Sequence, residues 1–218
     1  MATESLNNRL EAFSDGVFAI AITLLVIDIK VPPIESIHSV NEVWKSLEHL
    51  WPSFFAFSLS FTIILISWIG HHNLLKGVDK TSAQFQVING FFLLTVIFMP
   101  FPTSFMAEYL NTPYAQPAIV FFCLNAILHN IAWNALYLSI LKPKPLLKDS
   151  INLEDIKKRQ NGARYGFFIY LLIAVVAWWL PYVALVMTVI IWIYWLYSSI
   201  AFKHMGHEPT HTNQSSSK

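Results

Sequence analysis

Between Glu48 and Lys76 the chain contains no Asp, Glu, Lys or Arg, and Trp51 to Gly70 is almost wholly apolar. A stretch of that kind has few ways to fold. About 20 apolar residues in a helix, rising about 1.5 Å each, match the hydrocarbon thickness of a bilayer. The pattern recurs along the chain. Thr81 to Ala107 is uncharged, with an apolar block at Phe91 to Met106, and Tyr109 to Leu141 follows with its block beginning near Ala115. Tyr165 to Phe202 is also uncharged and too long for one crossing. Pro181, just after Trp178 and Trp179, divides it into a hairpin of two helices, because proline punctuates helices and tryptophan favours the membrane–water interface. Only 12% of the 218 residues are charged, about half the fraction of a soluble domain, so lipid is the solvent for most side chains.

The first apolar run is short. Gly16 to Ile27 reaches about 18 Å against the about 30 Å needed. It spans only if its helix extends toward the N-terminus through Asp15, Glu11 and Arg9; Pro32 and Pro33 stop it at the other end. An interfacial or re-entrant segment is the competing reading. The expectation is an all-α polytopic protein with six spans, near residues 6–30, 47–70, 84–107, 115–141, 161–180 and 182–203, forming one domain over 1–206. A polar, Ser-rich tail at 207–218 is expected to be disordered. Ser39 and Glu42 have capping-box spacing, so the second helix starts outside the membrane and enters at Leu47 to Trp51. Asn152, followed by Glu154 and Asp155, reads as a capped lead-in to the fifth span.

Charge sets the orientation. With six spans, twelve of the fourteen basic residues fall on the side that holds both termini, and only Lys30 and Lys45 on the other. Both termini are therefore expected to be cytoplasmic. Met1 to Asn8 lacks a basic n-region followed by a small-residue cleavage site, so the first span is expected to stay in the protein. The basic residues form no stripe that would read nucleic acid, and the single Cys123 builds neither disulfide nor metal site. His71 and His72 are adjacent and cannot share a helical face, and His129 is alone in the fourth span. No nucleophile–base pair stands at helical spacing, so neither an enzyme nor a metal or cofactor site is expected.

Around the first span the chain reads Arg9, three residues, then Phe13-Ser14-Asp15, then an apolar helix with Thr23 eight residues after the aspartate. This arrangement resembles the signature of the transmembrane protein 175 potassium channels. The likeness extends to Trp68, His71 and His72 at the end of the second span and to Pro100-Phe101-Pro102 in the third. It implies a homotetramer embedded in a bacterial plasma membrane, with the first helix of each subunit lining a central pore for potassium ions. It also implies that apolar side chains form the constriction: Ile20 at the tightest position, Leu24 and Ile27 further out, and Thr23 at a polar position that influences selectivity.

The helical wheel is compatible with that picture. At about 100° per residue, Ile20, Thr23, Leu24 and Ile27 occupy a stripe of roughly 100°, and Asp15 lies roughly 140° from Ile20. Such a stripe is also ordinary helix-packing surface. A buried carboxylate needs partners. Arg9, Trp68, His71, His72 and Asn89 all lie at the cytoplasmic ends of spans, where Ser14 and Asp15 would bond to them and fix the tilt of the first helix. Asp28, roughly 80° off the Ile20 face, either draws cations to the outer mouth or pairs with Lys30. A proton-coupled transporter with Asp15 as the titrating group is the alternative function. The absence of an internal repeat and of paired broken helices weighs against it.

Overall fold

The computed structural model describes residues 2–141 and 146–205; the expected disordered tail falls outside them. Among those residues the chain is all-α, and six helical segments are long and apolar enough to cross a membrane.

The first segment, α1 (Ala2–Leu24), does extend through the charged residues, and its apolar span runs from Asn7 to Ile27. It does not stay α-helical to residue 30 but tightens into a 3₁₀ turn at Leu25–Asp28. Thr23 precedes that turn and donates its hydroxyl hydrogen back to the carbonyls of Ala19 and Ile20, a contact that bends helices. A second departure lies in the next loop. The segment from Val40 is a separate helix, α2 (Val40–His49), that ends before the span begins. Leu50 breaks the two apart, and Pro52 opens the first turn of α3 (Trp51–Gly77), where its missing N–H costs nothing. Ser39 caps α2 at Glu42, while the Glu42 carboxylate accepts from the backbone of His38 at 2.6 Å.

The third span is a broken rod. Its two parts, α4 (Ala83–Phe98) and α5 (Pro100–Tyr109), meet at Met99. Pro100 has no N–H for the Val96 carbonyl, which takes the Met99 N–H instead, and the Thr103 hydroxyl donates to the Met99 carbonyl at 2.8 Å. The remaining spans are α6 (Ala115–Leu141), α7 (Leu153–Trp179) and α8 (Pro181–Met205). Asn152 caps α7 at Glu154, so the lead-in and the fifth span are one continuous helix. Pro181 begins α8 two residues after exposed Trp178 and Trp179.

Helix α6 is the hub, packing against α4, α5, α7 and α8. Lipid is as apolar as a leucine side chain, so close packing and interhelical hydrogen bonds hold such helices, at about 0.6 kcal/mol per bond on average. His129 of α6 makes two of them, to Ser67 of α3 at 2.9 Å and to Thr95 of α4 at 2.8 Å, which satisfies both ring nitrogens. Ser60 and Thr103 tie α3 to α5 at 2.6 Å. One end of the bundle gathers the basic loops: Asn7 donates to the Val78 carbonyl, and Val78 bridges Leu147.

Candidate functional site

Helix α1 packs chiefly against α3 and α4, so its two faces meet different surroundings. Ser14, Phe18, Ala21 and Leu25, at helical spacing, are buried. Opposite them, Ile20, Leu24 and Ile27 are 60%, 48% and 69% exposed, and Thr23 is exposed beside them. Phe13 belongs to this outer face as well.

The buried face is fixed by a polar anchor at the end that carries the basic loops. Trp68 Nε1 donates to Asp15 Oδ1 at 2.8 Å. Asn89 of α4 donates to Ser14 Oγ at 3.2 Å and accepts from His71 Nε2 at 2.6 Å. His71 is fully buried, stacked on Phe92 with ring centroids 5.1 Å apart, and Phe18 lies 5.5 Å from it. Three helices thus meet at one knot. Adjacent positions on a helix point about 100° apart, so His72 turns away from His71 toward α1. There its Nδ1 lies 3.2 Å from Glu11 Oε1 and 3.8 Å from Asp15 Oδ2, with its ring stacked on Trp68.

Arg9, expected in the anchor, and Phe13 of the Phe13-Ser14-Asp15 motif both stand outside it. Arg9 is exposed, and among the described residues it has no hydrogen bond or ion pair. Six residues before Asp15, it points about 120° away from the carboxylate and joins the Ile20 face instead. Phe13, 61% exposed, likewise faces outward. The Asp28 side chain lies outside the described residues, although its backbone closes the 3₁₀ turn. Glu11 was missed as a site residue. It stands four residues before Asp15, and that spacing puts two carboxylates on one face.

Residues 9–100 match the family described as the endosomal/lysosomal potassium channel TMEM175. A potassium channel of Chamaesiphon minutus is 40% identical over 168 residues, covering 77% of this chain and 82% of its own length. The chain belongs to the TMEM175 family. A potassium channel of Streptomyces collinus is 39% identical over 132 residues, 60% of this chain and 63% of that protein. The TMEM175 fold is matched by the crystal structure of a lysosomal potassium-selective channel TMEM175 homolog from Chamaesiphon minutus. That chain is 34% identical, with a TM-score of 0.79 over 89% of this chain and 98% of its own. The matched segment of the TMEM175 family holds α1, α3 and α4, the three helices that build the anchor.

Proposed function

We propose that this protein is a passive, potassium-preferring cation channel, a homotetramer whose pore is lined by α1 of each subunit. One observation carries the reading. The apolar face at Ile20, Leu24 and Ile27 has no partner within the described subunit, while the opposite face is held in register by the anchor. Four copies arranged about an axis would bring those faces together. Names given to relatives, potassium channels of Chamaesiphon minutus and Streptomyces collinus, support the same reading.

In this reading Ile20 forms the narrowest ring. An apolar neck gates and selects through hydration, because an ion must shed water to pass side chains that offer no replacement ligands. Potassium holds its water less tightly than sodium and so crosses with the smaller penalty. Asp15 does not touch the ion. It orients α1 through Trp68, and conduction involves no covalent chemistry. The gathered basic loops support placing both termini in the cytoplasm of a bacterial cell.

The test is ion flux into liposomes holding the purified protein. Potassium uptake is expected to exceed sodium uptake, and Ile20→Asn is expected to raise sodium relative to potassium. An unchanged ratio with intact flux removes Ile20 from the constriction. No passive flux from a well-folded tetramer rejects the channel and returns attention to Asp15 as a proton-coupling group.

A further inference from the structure

The anchor leaves one arrangement that hydrogen bonding does not explain. His72 Nδ1 is sealed from solvent, yet among the described residues it has no hydrogen-bond partner. Two carboxylate oxygens nevertheless lie close to it, Glu11 Oε1 at 3.2 Å and Asp15 Oδ2 at 3.8 Å. All three donor atoms lie within 4.8 Å of one another. Metal ligands have this relation: they face a common point and not each other.

We propose that Glu11, Asp15 and His72 form a binding site for a divalent cation of the zinc class, clamping α1 to α3. Distances support the assignment. Zinc bonds of about 2.0–2.1 Å at a tetrahedral angle put neighbouring ligand atoms about 3.4 Å apart. The His72–Glu11 and His72–Asp15 separations straddle that value. Supporting contacts are also in place, as ligating side chains need. Asp15 gives only Oδ1 to Trp68, so Oδ2 stays free, and stacking on the Trp68 indole fixes the plane of the His72 ring at 24°. One imidazole and two carboxylates suit zinc and its first-row neighbours better than calcium, which takes six to eight oxygens, or magnesium, which keeps most of its water. A fourth position remains for water. The two carboxylates stand one helical turn apart and repel each other, and a bound dication would neutralise them.

The site itself rests on geometry alone. Its effect on conduction rests on the channel reading, because a clamp from α1 to α3 holds the helix that presents Ile20. No single-helix ligand pattern betrays the site, because its third ligand comes from α3.

Zinc chloride titrated calorimetrically into the tag-free, chelator-stripped full chain tests it, with Glu11→Gln and His72→Gln beside the unchanged protein. The expected result is one strong site per chain, weakened at least about tenfold in each variant. Magnesium and calcium chlorides should give no heat at the same concentrations. His207→Gln, in the C-terminal region, should bind as the unchanged protein does. Thermal melts check folding, and zinc should raise the melting temperature of the unchanged protein and of neither ligand variant. Absence of binding, or equal binding by both variants, overturns the site. In liposomes, zinc should alter potassium flux through the unchanged protein and leave flux through His72→Gln alone. Flux that ignores bound zinc overturns the clamp's control of the pore. Liposomes with no potassium flux at all defeat the channel reading while the titration still decides the site.

Discussion

Helices α1 and α8 expose themselves to the same degree: 22% of each apolar stretch is buried within the subunit. Each also turns a row of large apolar side chains outward. On α8 the row is Val186, Ile190, Ile193 and Tyr197; on α1 it is Phe13, Ile20, Leu24 and Ile27. Exposure alone therefore cannot tell a lipid-facing helix from a pore-lining one. The buried faces differ. Helix α8 packs Ala184, Leu185, Thr188 and Trp192. Among the described residues its hydrogen bonds are neutral, such as those from Thr188 to its own backbone at Ala184 and with the Cys123 thiol, and from Tyr182 to the Leu110 carbonyl, and no carboxylate is among them. Helix α1 is keyed by Ser14 and Asp15 to side chains on two other helices. A helix whose outer face meets lipid tolerates small changes of orientation, because that face meets the same solvent over its whole width. One that presents a single ring of isoleucines to an axis does not, and specific hydrogen bonds fix its rotation.

Removing the key should therefore have the largest effect. Asp15→Ala leaves the Trp68 N–H without its acceptor, at a cost of about 1–2 kcal/mol per subunit. Potassium flux should fall by at least about tenfold, because an error in α1 orientation is repeated around the pore. Flux assays paired with cysteine accessibility at position 20 would check this; full flux with unchanged accessibility breaks the distinction between the two helices. On the other side of the molecule, Gly166→Ala probes packing without the pore. A Cβ there would meet Asn130 Nδ2 at 2.9 Å and the Trp195 ring at 3.4 Å. The flexible end of Asn130 can yield, so the expected loss is about 1 kcal/mol, read as a lower melting temperature with unchanged potassium-to-sodium ratio.

Ile190→Asn sharpens the comparison further. Ile190 is 59% exposed against 60% for Ile20, so the substitution alters two side chains of equal exposure on two helices. Protein yield should drop, since a polar amide facing hydrocarbon is unfavourable. Selectivity should stay as it was, whereas Ile20→Asn changes it. Equal changes in ion ratio from both positions would falsify the assignment of α1 to the pore.

Much of the fold and of the anchor is legible in the chain itself, for identifiable reasons. Charge-free runs announce spans because a charge in hydrocarbon is costly, and 3.6-residue periodicity put Ile20 and Asp15 on different faces. Trp68, His71, His72 and Asn89 stood out as polar residues at span ends. The expectation failed where contact depends on neighbours in space. Arg9 shares the cytoplasmic end of its span with Asp15, which suggests a pairing, although its angle on the helix directs it to the opposite face. Glu11 went unassigned because its partner, His72, lies on another helix. The break at Met99 needed the contacts of Val96 and Thr103 to show how a prolyl helix recovers its hydrogen bonds.

Thr23 should give the smallest effect, and it decides how selectivity is shared along α1. Its hydroxyl hydrogen is directed at the carbonyls of Ala19 and Ile20, 3.0 Å from each, while the residue itself is exposed on the outer face. In the proposed pore the oxygen lone pairs would therefore face a passing cation. Valine has nearly the same shape and lacks that oxygen, so Thr23→Val should leave folding and assembly intact. If Ile20 sets the main hydration penalty and Thr23 only softens it, the potassium-to-sodium ratio should fall in Thr23→Val by less than in Ile20→Asn. Reversal potentials of both variants under one pair of salt gradients make the measurement. A larger shift for Thr23→Val would move the selective ring one turn outward, from an apolar neck to a ring of hydroxyl oxygens that replace lost water.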